Sequence, residues 1–317
     1  MPGLDPDKAM WRLKNLALQL MRQDVVKEVF VSLQNEGIDL NTFIESPFLE
    51  TEESDPEDQK PLLLHAIGNS RINATKALLE LGVDPNFQLK PSKRSALVFA
   101  TRDKEILKIF LQAKGLNINL QDAEGSTILH EMCDEYIEED LPKADEPTEP
   151  DEIWQVDRFQ FADDHFEMIK MLLEAKADPN IPDANNRSPL LYAAYHGTLR
   201  WCKVLLEHGA HINCTSIGAN TPLTAAALGE HLEVCKFLLE QGARVSIDKE
   251  GNPIALDALP VQGGTRNKSD EKVEAEIVAL LTEYAKKQNP SLGFANTLFS
   301  PKTKVADKVL EPSGPSP

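Results

Sequence analysis

The 317-residue sequence predicts an all-α array of stacked helix-turn-helix units, and two observations carry this prediction. First, Ser188-Pro189-Leu190-Leu191 recurs 33 positions later as Thr221-Pro222-Leu223-Thr224. Second, each segment is followed at the same distance by a Leu-rich stretch, 200–207 or 233–240, and then by a glycine. A fixed period of this length is the signature of a repeat array. Each unit must bury its apolar faces against its neighbours, because one unit alone has too small a core.

A single unit is predicted to contain two short helices. Pro189 stands where the first helix begins, since the first turn of a helix needs no N–H donor at that position. Gly197 separates the two helices, and Trp201 and Leu205 then lie at helical spacing on one face of the second. Gly209 follows that second helix, and a glycine is typical of a helix C-terminus.

Two motifs recur with this period along most of the chain. The helix starts are Lys60-Pro61-Leu62-Leu63, Ser95-Ala96-Leu97-Val98, Thr127-Ile128-Leu129-His130, the two segments above and Asn252-Pro253-Ile254-Ala255. The turns after the second helix are 82–86, 115–119, 177–180, 209–213 and 242–246. The pattern resembles the ankyrin repeat, with its T-P-L-H start, Leu-rich second helix and G-A-D-x-N turn. The resemblance covers roughly residues 60–286 and is closest over 181–213 and 214–246.

The resemblance implies a solenoid with about six full copies behind an N-terminal helical cap. Residues 1–44 are predicted as a helical capping half-repeat, 45–59 as an acidic linker, 60–287 as the array and 288–317 as a disordered tail. The copies are placed near 60–90, 91–121, 122–180, 181–213, 214–246 and 247–287. A cap is expected because the terminal unit of an array would otherwise expose core.

The third copy is interrupted by an acidic insertion at 134–165, and its second helix is expected only near Glu167. Prolines keep the first part of the insertion extended, whereas Trp154 and Phe159 place aromatic rings among acids in the second part. Two interpretations stay open and do not exclude each other. The aromatic part folds back onto the array, or it forms an acidic, aromatic arm that contacts a basic partner.

Composition excludes several classes of partner. With 33 Lys and Arg against 51 Asp and Glu, the net charge is −18. Phosphate binding needs a basic surface, so neither nucleic acid nor an anionic membrane is an expected partner. No segment has the length and apolarity of a membrane span, and residues 1–5 lack signal-peptide character. Four cysteines without a CxxC pair indicate reduced thiols and a cytoplasmic location.

The sequence shows no catalytic, metal or cofactor motif, so no enzyme is predicted. His208, His211 and Cys214 lie close in sequence, but three candidates on one turn fall short of a four-ligand zinc site. His130 fills the histidine position of the T-P-L-H start, where the resemblance implies a structural role. An active site within the insertion is kept as an alternative.

The resemblance implies that a protein partner, possibly basic, binds the concave face of a monomeric array through variable positions. By register these are Arg94, Arg102, Glu124, Asn185, Arg187, Tyr195, His196, Ile217, Asn220 and Leu228, with Trp154 and Phe159 of the insertion as a second contact. Tyr195, His196, Ile217 and Leu228 are expected to form one cluster. An alternative is a translocated bacterial effector that engages a host protein in the host cytosol.

Overall fold

The computed structural model describes residues 6–44, 60–134, 152–247, 253 and 268–290, with the backbone alone for 21, 43–44, 152–162 and 268–271. The described helices are α1 Pro6–Arg22, α2 Lys27–Asn35, α3 Leu62–Gly68, α4 Ile72–Glu80, α5 Ala96–Ala100, α6 Lys104–Leu111, α7 Ile128–Asp134, α8 Glu152–Glu174, α9 Pro189–Tyr195, α10 Leu199–Glu207, α11 Pro222–Leu228, α12 Leu232–Glu240 and α13 Lys268–Gln288. Two short strands, β1 Phe43–Ile44 and β2 Lys60–Pro61, pair antiparallel with Phe43 opposite Pro61.

The helices form two stacked layers. Within a copy, a short first helix packs against a longer second helix, as α9 does with α10 and α11 with α12. Between copies, first helices contact first helices along α3, α5, α7, α9 and α11, and second helices contact second helices along α4, α6, α8, α10 and α12. One apolar core runs through the stack from Leu13 of α1 to Ala285 of α13. The all-α solenoid predicted from the repeat period is therefore confirmed.

Local sequence explains where the first helices begin and how closely they pack. Ser188 and Thr221 cap α9 and α11, because their hydroxyl oxygens accept hydrogen bonds from the N–H groups of Leu191 and Thr224. Fully buried alanines such as Ala193 and Ala226 fill the middle of these helices. Small side chains let neighbouring first helices approach closely, so each copy completes the core of the next.

Asparagines in the turns join successive copies. The side-chain oxygens of Asn41, Asn86, Asn119, Asn180 and Asn213 each accept a hydrogen bond from a backbone N–H of the following copy, at 2.7–2.9 Å. Asn86 and Asn180 also donate from the side-chain nitrogen to the carbonyl oxygens of Gly115 and Gly209. These bonds fix the spacing of the turns, and therefore the alignment of the first helices beside them.

The ends of the array carry longer helices. α1 packs on α3 and α2 on α4, so the N-terminal pair continues both layers. Trp11 of α1 is nevertheless 66% exposed. At the other end, α13 packs on α12 and runs from Lys268 to Gln288. The domain boundaries proposed from the sequence stay predictions; the acidic linker at 45–59 and all but the first three residues of the predicted tail at 288–317 lie outside the described residues. Among the described residues, no helix has the length and apolar character needed to cross a membrane.

The third copy departs from the predicted helix boundaries. α8 begins at Glu152, whereas register with the other copies places the start of the second helix at Glu167. The stretch from Glu152 to Glu174 contains neither proline nor glycine, so nothing in it breaks a helix once Pro150 has been passed. The prediction that the whole insertion separates the two helices was therefore wrong, because its second half lengthens α8.

Candidate functional site

The candidate site lies on the face formed by α3, α5, α7, α9 and α11 and by the turns that precede these helices, here called the first-helix face. The second helices cover the opposite side of the core, so the first-helix face is built from turns and helix surfaces that no other described element covers. Adjacent turns are joined through their backbones: the N–H of Ala184 donates to Glu124, and that of Ile217 donates to Asn185.

A cavity of about 350 Å³ opens on the first-helix face where the second, third and fourth copies meet. It is lined by Ser92, Arg94, Asp122, Ala123, Glu124, Ser126, His130, Glu131, Asp134 and Tyr192. Four of these residues are carboxylates and one is an arginine. The arginine, Arg94, forms an ion pair with Glu131 across the boundary between the second and third copies. The cavity therefore keeps a negative charge.

Tyr192, which lines the cavity, belongs to a hydrogen-bonded network centred on Asp183, whose side chain is 1% exposed. Its Oδ1 accepts from the N–H groups of Asn185 and Arg187, and its Oδ2 accepts from Arg187 Nε at 2.7 Å and from the Tyr192 hydroxyl at 2.9 Å. The Arg187 guanidinium also lies over the Tyr192 ring, 4.7 Å from its centroid. Burial alone would raise the pKa of Asp183, but these donors outweigh burial and lower it. Burial, and then the bond to Asp183, raise the pKa of Tyr192.

His130 forms the floor of the cavity and ties two copies together. Its Nδ1 accepts from the Thr127 N–H at 3.0 Å, so the ring proton lies on Nε2, which donates to the Arg187 carbonyl oxygen at 2.9 Å. Burial lowers the pKa of His130, which keeps the imidazole neutral. These contacts give His130 a structural role.

The structure divides the predicted cluster between two ends of the first-helix face. Tyr195 and Leu228 occupy the same position at the C-termini of the adjacent helices α9 and α11, and the rings of Tyr195 and His196 lie 5.2 Å apart, edge to face. Ile217, 75% exposed, lies instead in the turn before α11. A seven-residue helix spans about 10 Å, so Ile217 is about one helix length from Leu228.

The other predicted contacts fall into two groups. Arg102, Glu124 and Asn185 are exposed, Asn220 is half-buried in the turn before α11, and Arg102 lies over the ring of Phe99. Arg94 is also exposed but pairs with Glu131, and the half-buried Arg187 pairs with Asp183. Trp154 and Phe159 lie on the backbone of α8, and their side chains are outside the described residues.

Sequence reasoning missed how the end of the insertion is held. Asp163 pairs with Arg200 of α10 at 2.8 Å, and Asp164 pairs with Lys104 of α6 at 3.2 Å. Between them, His165 is buried, donates from Nε2 to the Met132 carbonyl oxygen and stacks on Trp201 at 5.4 Å. Their contacts could have been predicted from register with the other copies, since Asp163, Asp164 and His165 directly precede the apolar face of the second helix. The described end of the insertion therefore contacts the array itself.

The described side chains show buried thiols. Cys133, Cys202 and Cys235 are buried and Cys214 is half-buried, all as free cysteines, and burial raises the pKa of Cys133, Cys214 and Cys235. Raised thiol pKa values oppose formation of the nucleophilic thiolate. Within the described part of the chain, no group of three or more His, Cys, Asp or Glu side chains could hold a metal ion.

Comparison with known proteins gives the same architecture. The family model of ankyrin repeats, in three copies, matches residues 160–249. Among solved structures, the chain is similar to the crystal structure of the ankyrin repeat domain of Bcl-3, described there as a unique member of the IkappaB protein family. That match has a TM-score of 0.58 and 19% identity, and covers 81% of this chain and 96% of the other. At this identity the likeness concerns the fold alone. No curated protein sequence matches the chain.

Proposed function

We propose that this chain, whose residues 160–249 match the family model of ankyrin repeats, is a non-catalytic scaffold that binds a partner protein on its first-helix face. Repeat arrays present extended surfaces of this kind, and the ankyrin fold supports protein–protein interaction. The observation that carries the proposal is the half-exposed ring of Tyr195, which packs on His196, while His196 contacts Asp134 of the negatively charged cavity. Aromatic side chains that become buried at an interface are frequent hot spots.

The chemistry of this face favours a basic partner. Asp122, Glu124 and Asp134 line the cavity without an ion pair to a lysine or arginine among the described residues, and the whole chain carries a net charge of −18. Complementary charge speeds encounter and excludes acidic competitors more than it tightens the final complex. The acidic insertion, which begins at Asp134, is proposed as the second contact.

We propose that the scaffold acts as a monomer in the cytoplasm. The four free cysteines are typical of a protein in a reducing compartment. A host cytosol is also reducing, so the cysteines fit the alternative of a translocated effector equally well. Size-exclusion chromatography with light scattering measures the oligomeric state. A catalytic role for the insertion would be revealed by turnover that disappears when residues 136–150 are replaced by a Gly-Ser linker.

The proposal is tested by removing the apolar groups of the first-helix face. Tyr195→Ala combined with Leu228→Ala should reduce partner capture, measured by affinity purification with quantitative mass spectrometry, and leave the thermal midpoint nearly unchanged. The matched control is Val26→Ala with Ile72→Ala, which removes exposed apolar surface near the start of the second helices α2 and α4. Equal capture by the Tyr195/Leu228 variant and wild type would refute binding at this face.

A further inference from the structure

We propose that the cavity between the second and fourth copies receives an arginine side chain of the partner protein, whose guanidinium binds the Asp122 carboxylate. This inference rests on the proposed function and specifies the chemistry of the partner at one point of the first-helix face. It comes from a comparison of the third copy with the fourth, because the fourth copy contains the same arrangement with an arginine of its own.

The turns that precede α7 and α9 have the same backbone hydrogen bonds. Asp122 N–H donates to the Ser126 carbonyl oxygen, and Asp183 N–H to that of Arg187, both at 2.9 Å. In each turn the aspartate Oδ1 accepts from two backbone N–H groups at 2.8–2.9 Å, those of residues two and four positions later. Asp122 and Asp183 are thus equivalent residues in equivalent turns.

The two turns differ at the fourth position after the aspartate. In the fourth copy this residue is Arg187, which binds Asp183 Oδ2 and leaves that carboxylate 1% exposed. In the third copy it is Ser126, too short to reach the carboxylate in this way, and Asp122 stays half-exposed on the cavity wall. Oδ2 of Asp122 has no hydrogen-bond partner among the described residues, whereas Oδ2 of Asp183 has a guanidinium and a hydroxyl. The guanidinium position beside Asp122 is therefore open to an arginine from outside.

The arginine that lines the cavity does not fill that position. Arg94, which precedes α5, reaches forward to Glu131 and pairs with it. Glu131 stands in the third copy where Tyr192 stands in the fourth, so Arg94 supports the far wall of the cavity. Glu124 and Asp134 line the rest, and Asp134 contacts His196 Nε2 at 3.2 Å. The remaining charge in the cavity is negative.

Arginine fits this site better than lysine does. The planar guanidinium presents several N–H donors in a fixed fork, which matches a carboxylate oxygen together with a second acceptor close by. Arg187 places the fork on one carboxylate oxygen inside the same fold, since its Nε and Nη2 both lie 2.7 Å from Asp183 Oδ2. A lysine would place a single charge there without the fork. The partner segment is therefore expected to carry an arginine at one fixed position.

The experiment selects peptides from a random display library on the full chain and measures their affinities by isothermal titration calorimetry. The expected result is enrichment of arginine at one position of the bound peptides. Replacement of that arginine by citrulline, a neutral side chain of nearly the same shape, should weaken binding by about tenfold or more, because the charge-assisted hydrogen bond is lost. Asp122→Asn should weaken the arginine peptide by a similar factor, and it keeps Oδ1 as the acceptor for the turn.

A second variant fills the cavity from within. Ser126→Arg gives the third copy the arginine of the fourth and should weaken the arginine peptide by about tenfold or more through competition for Asp122. Gln112→Arg adds the same charge at the exposed end of α6, outside the cavity, and should change affinity by less than about twofold, since exposed charges at a distance are screened. Circular dichroism melts establish that each variant is folded, and Asp122→Asn decides the outcome if Ser126→Arg is not.

The inference is overturned if no peptide is enriched, if the enriched peptides lack arginine, or if citrulline and Asp122→Asn leave affinity unchanged. Such a result leaves the proposed function standing when Tyr195→Ala with Leu228→Ala still reduces capture of a partner. The opposite result is also distinguishable. If Asp122→Asn abolishes arginine-dependent peptide binding but the Tyr195/Leu228 substitutions leave partner capture unchanged, the inference is supported and the proposed contact at those two residues is refuted.

Discussion

The asparagine bridges between turns should differ in strength, and the difference can be calculated from their hydrogen bonds. Asn180 makes two hydrogen bonds to the end of the fourth copy. Its Nδ2 donates to the Gly209 carbonyl oxygen at 2.9 Å, and its Oδ1 accepts from the His211 N–H at 2.8 Å. Asn119 occupies the same turn position but makes one such bond, from the Asp178 N–H at 2.9 Å. A hydrogen bond contributes a net ~0.5–1.5 kcal/mol, and partial exposure favours the lower half of that range. Asn180→Ala should therefore lower the free energy of unfolding by about 1–2 kcal/mol, and Asn119→Ala by about half as much.

Urea denaturation followed by far-ultraviolet circular dichroism measures both values. Asn86→Ala, which also removes a two-bond bridge, should resemble Asn180→Ala, and Asn213→Ala should resemble Asn119→Ala. Weaker coupling between copies should also broaden the transition of the two-bond variants, because cooperativity in a repeat array depends on the interfaces between neighbours. If Asn119→Ala costs as much as Asn180→Ala, the second hydrogen bond contributes nothing and the calculation is wrong.

Two further predictions concern a buried histidine and a turn glycine. Burial, with a smaller effect of Lys60, lowers the pKa of His65 to about 4, below the usual ~6.5 of an unfolded chain. The unfolded state therefore takes up the proton first as pH falls below about 6.5, so His65 alone should lower the free energy of unfolding by about 2 kcal/mol between pH 7 and pH 5. His65→Gln should remove this part of the loss in urea titrations and leave the part due to His130, whose pKa burial also lowers. An unchanged pH dependence would contradict the prediction. Gly209 has φ of 87° with nothing within 4 Å of an added Cβ, so Gly209→Ala should cost about 1 kcal/mol through the backbone alone. Gly218→Ala, at a residue outside the left-handed region, should be close to neutral in the same thermal melts.

The repeated features of the fold could be predicted from the sequence because the same motif recurs in several copies. α9 and α11 begin at Pro189 and Pro222 as the recurring starts indicated, and Trp201 and Leu205 are buried as their spacing indicated. A single copy would have left these assignments ambiguous. Features that occur only once in the chain were harder to predict from the sequence, as the start of α8 illustrates. Register with other copies pointed to Glu167, whereas the absence of a helix breaker after Pro150 governed the actual start.

The candidate site was predictable only in part, because register gives the face of a residue and not its partner. Register predicted one cluster of Tyr195, His196, Ile217 and Leu228, whereas the structure has Tyr195 and Leu228 at neighbouring helix ends and Ile217 in the turn before α11. Register also assigned Arg187 to partner binding, but the charge of Arg187 is used by Asp183 four residues earlier. The four-residue spacing between Asp183 and Arg187 was visible in the sequence. The equivalence of Asp122 with Asp183, and of Ser126 with Arg187, is established only by the hydrogen bonds that the two turns share. Whether the predicted residues contact a partner stays a prediction.

The position of the insertion links the cavity to the charge of the chain. Asp134, the last residue of α7, lines the cavity and is also where the insertion begins. The chain returns to the array through Asp163, Asp164 and His165, which contact α10, α6 and the end of α7. Both ends of the acidic segment are thus fixed to the array, and one of them is at the cavity. Charges interact over one Debye length, ~8 Å at physiological salt, so we expect the acidic residues that follow Asp134 to add to the field that would draw a cation toward Asp122. Shape and hydrogen bonding at Asp122 would then select arginine. The charge of the insertion would determine the association rate constant of a basic segment and the dependence of that rate on salt.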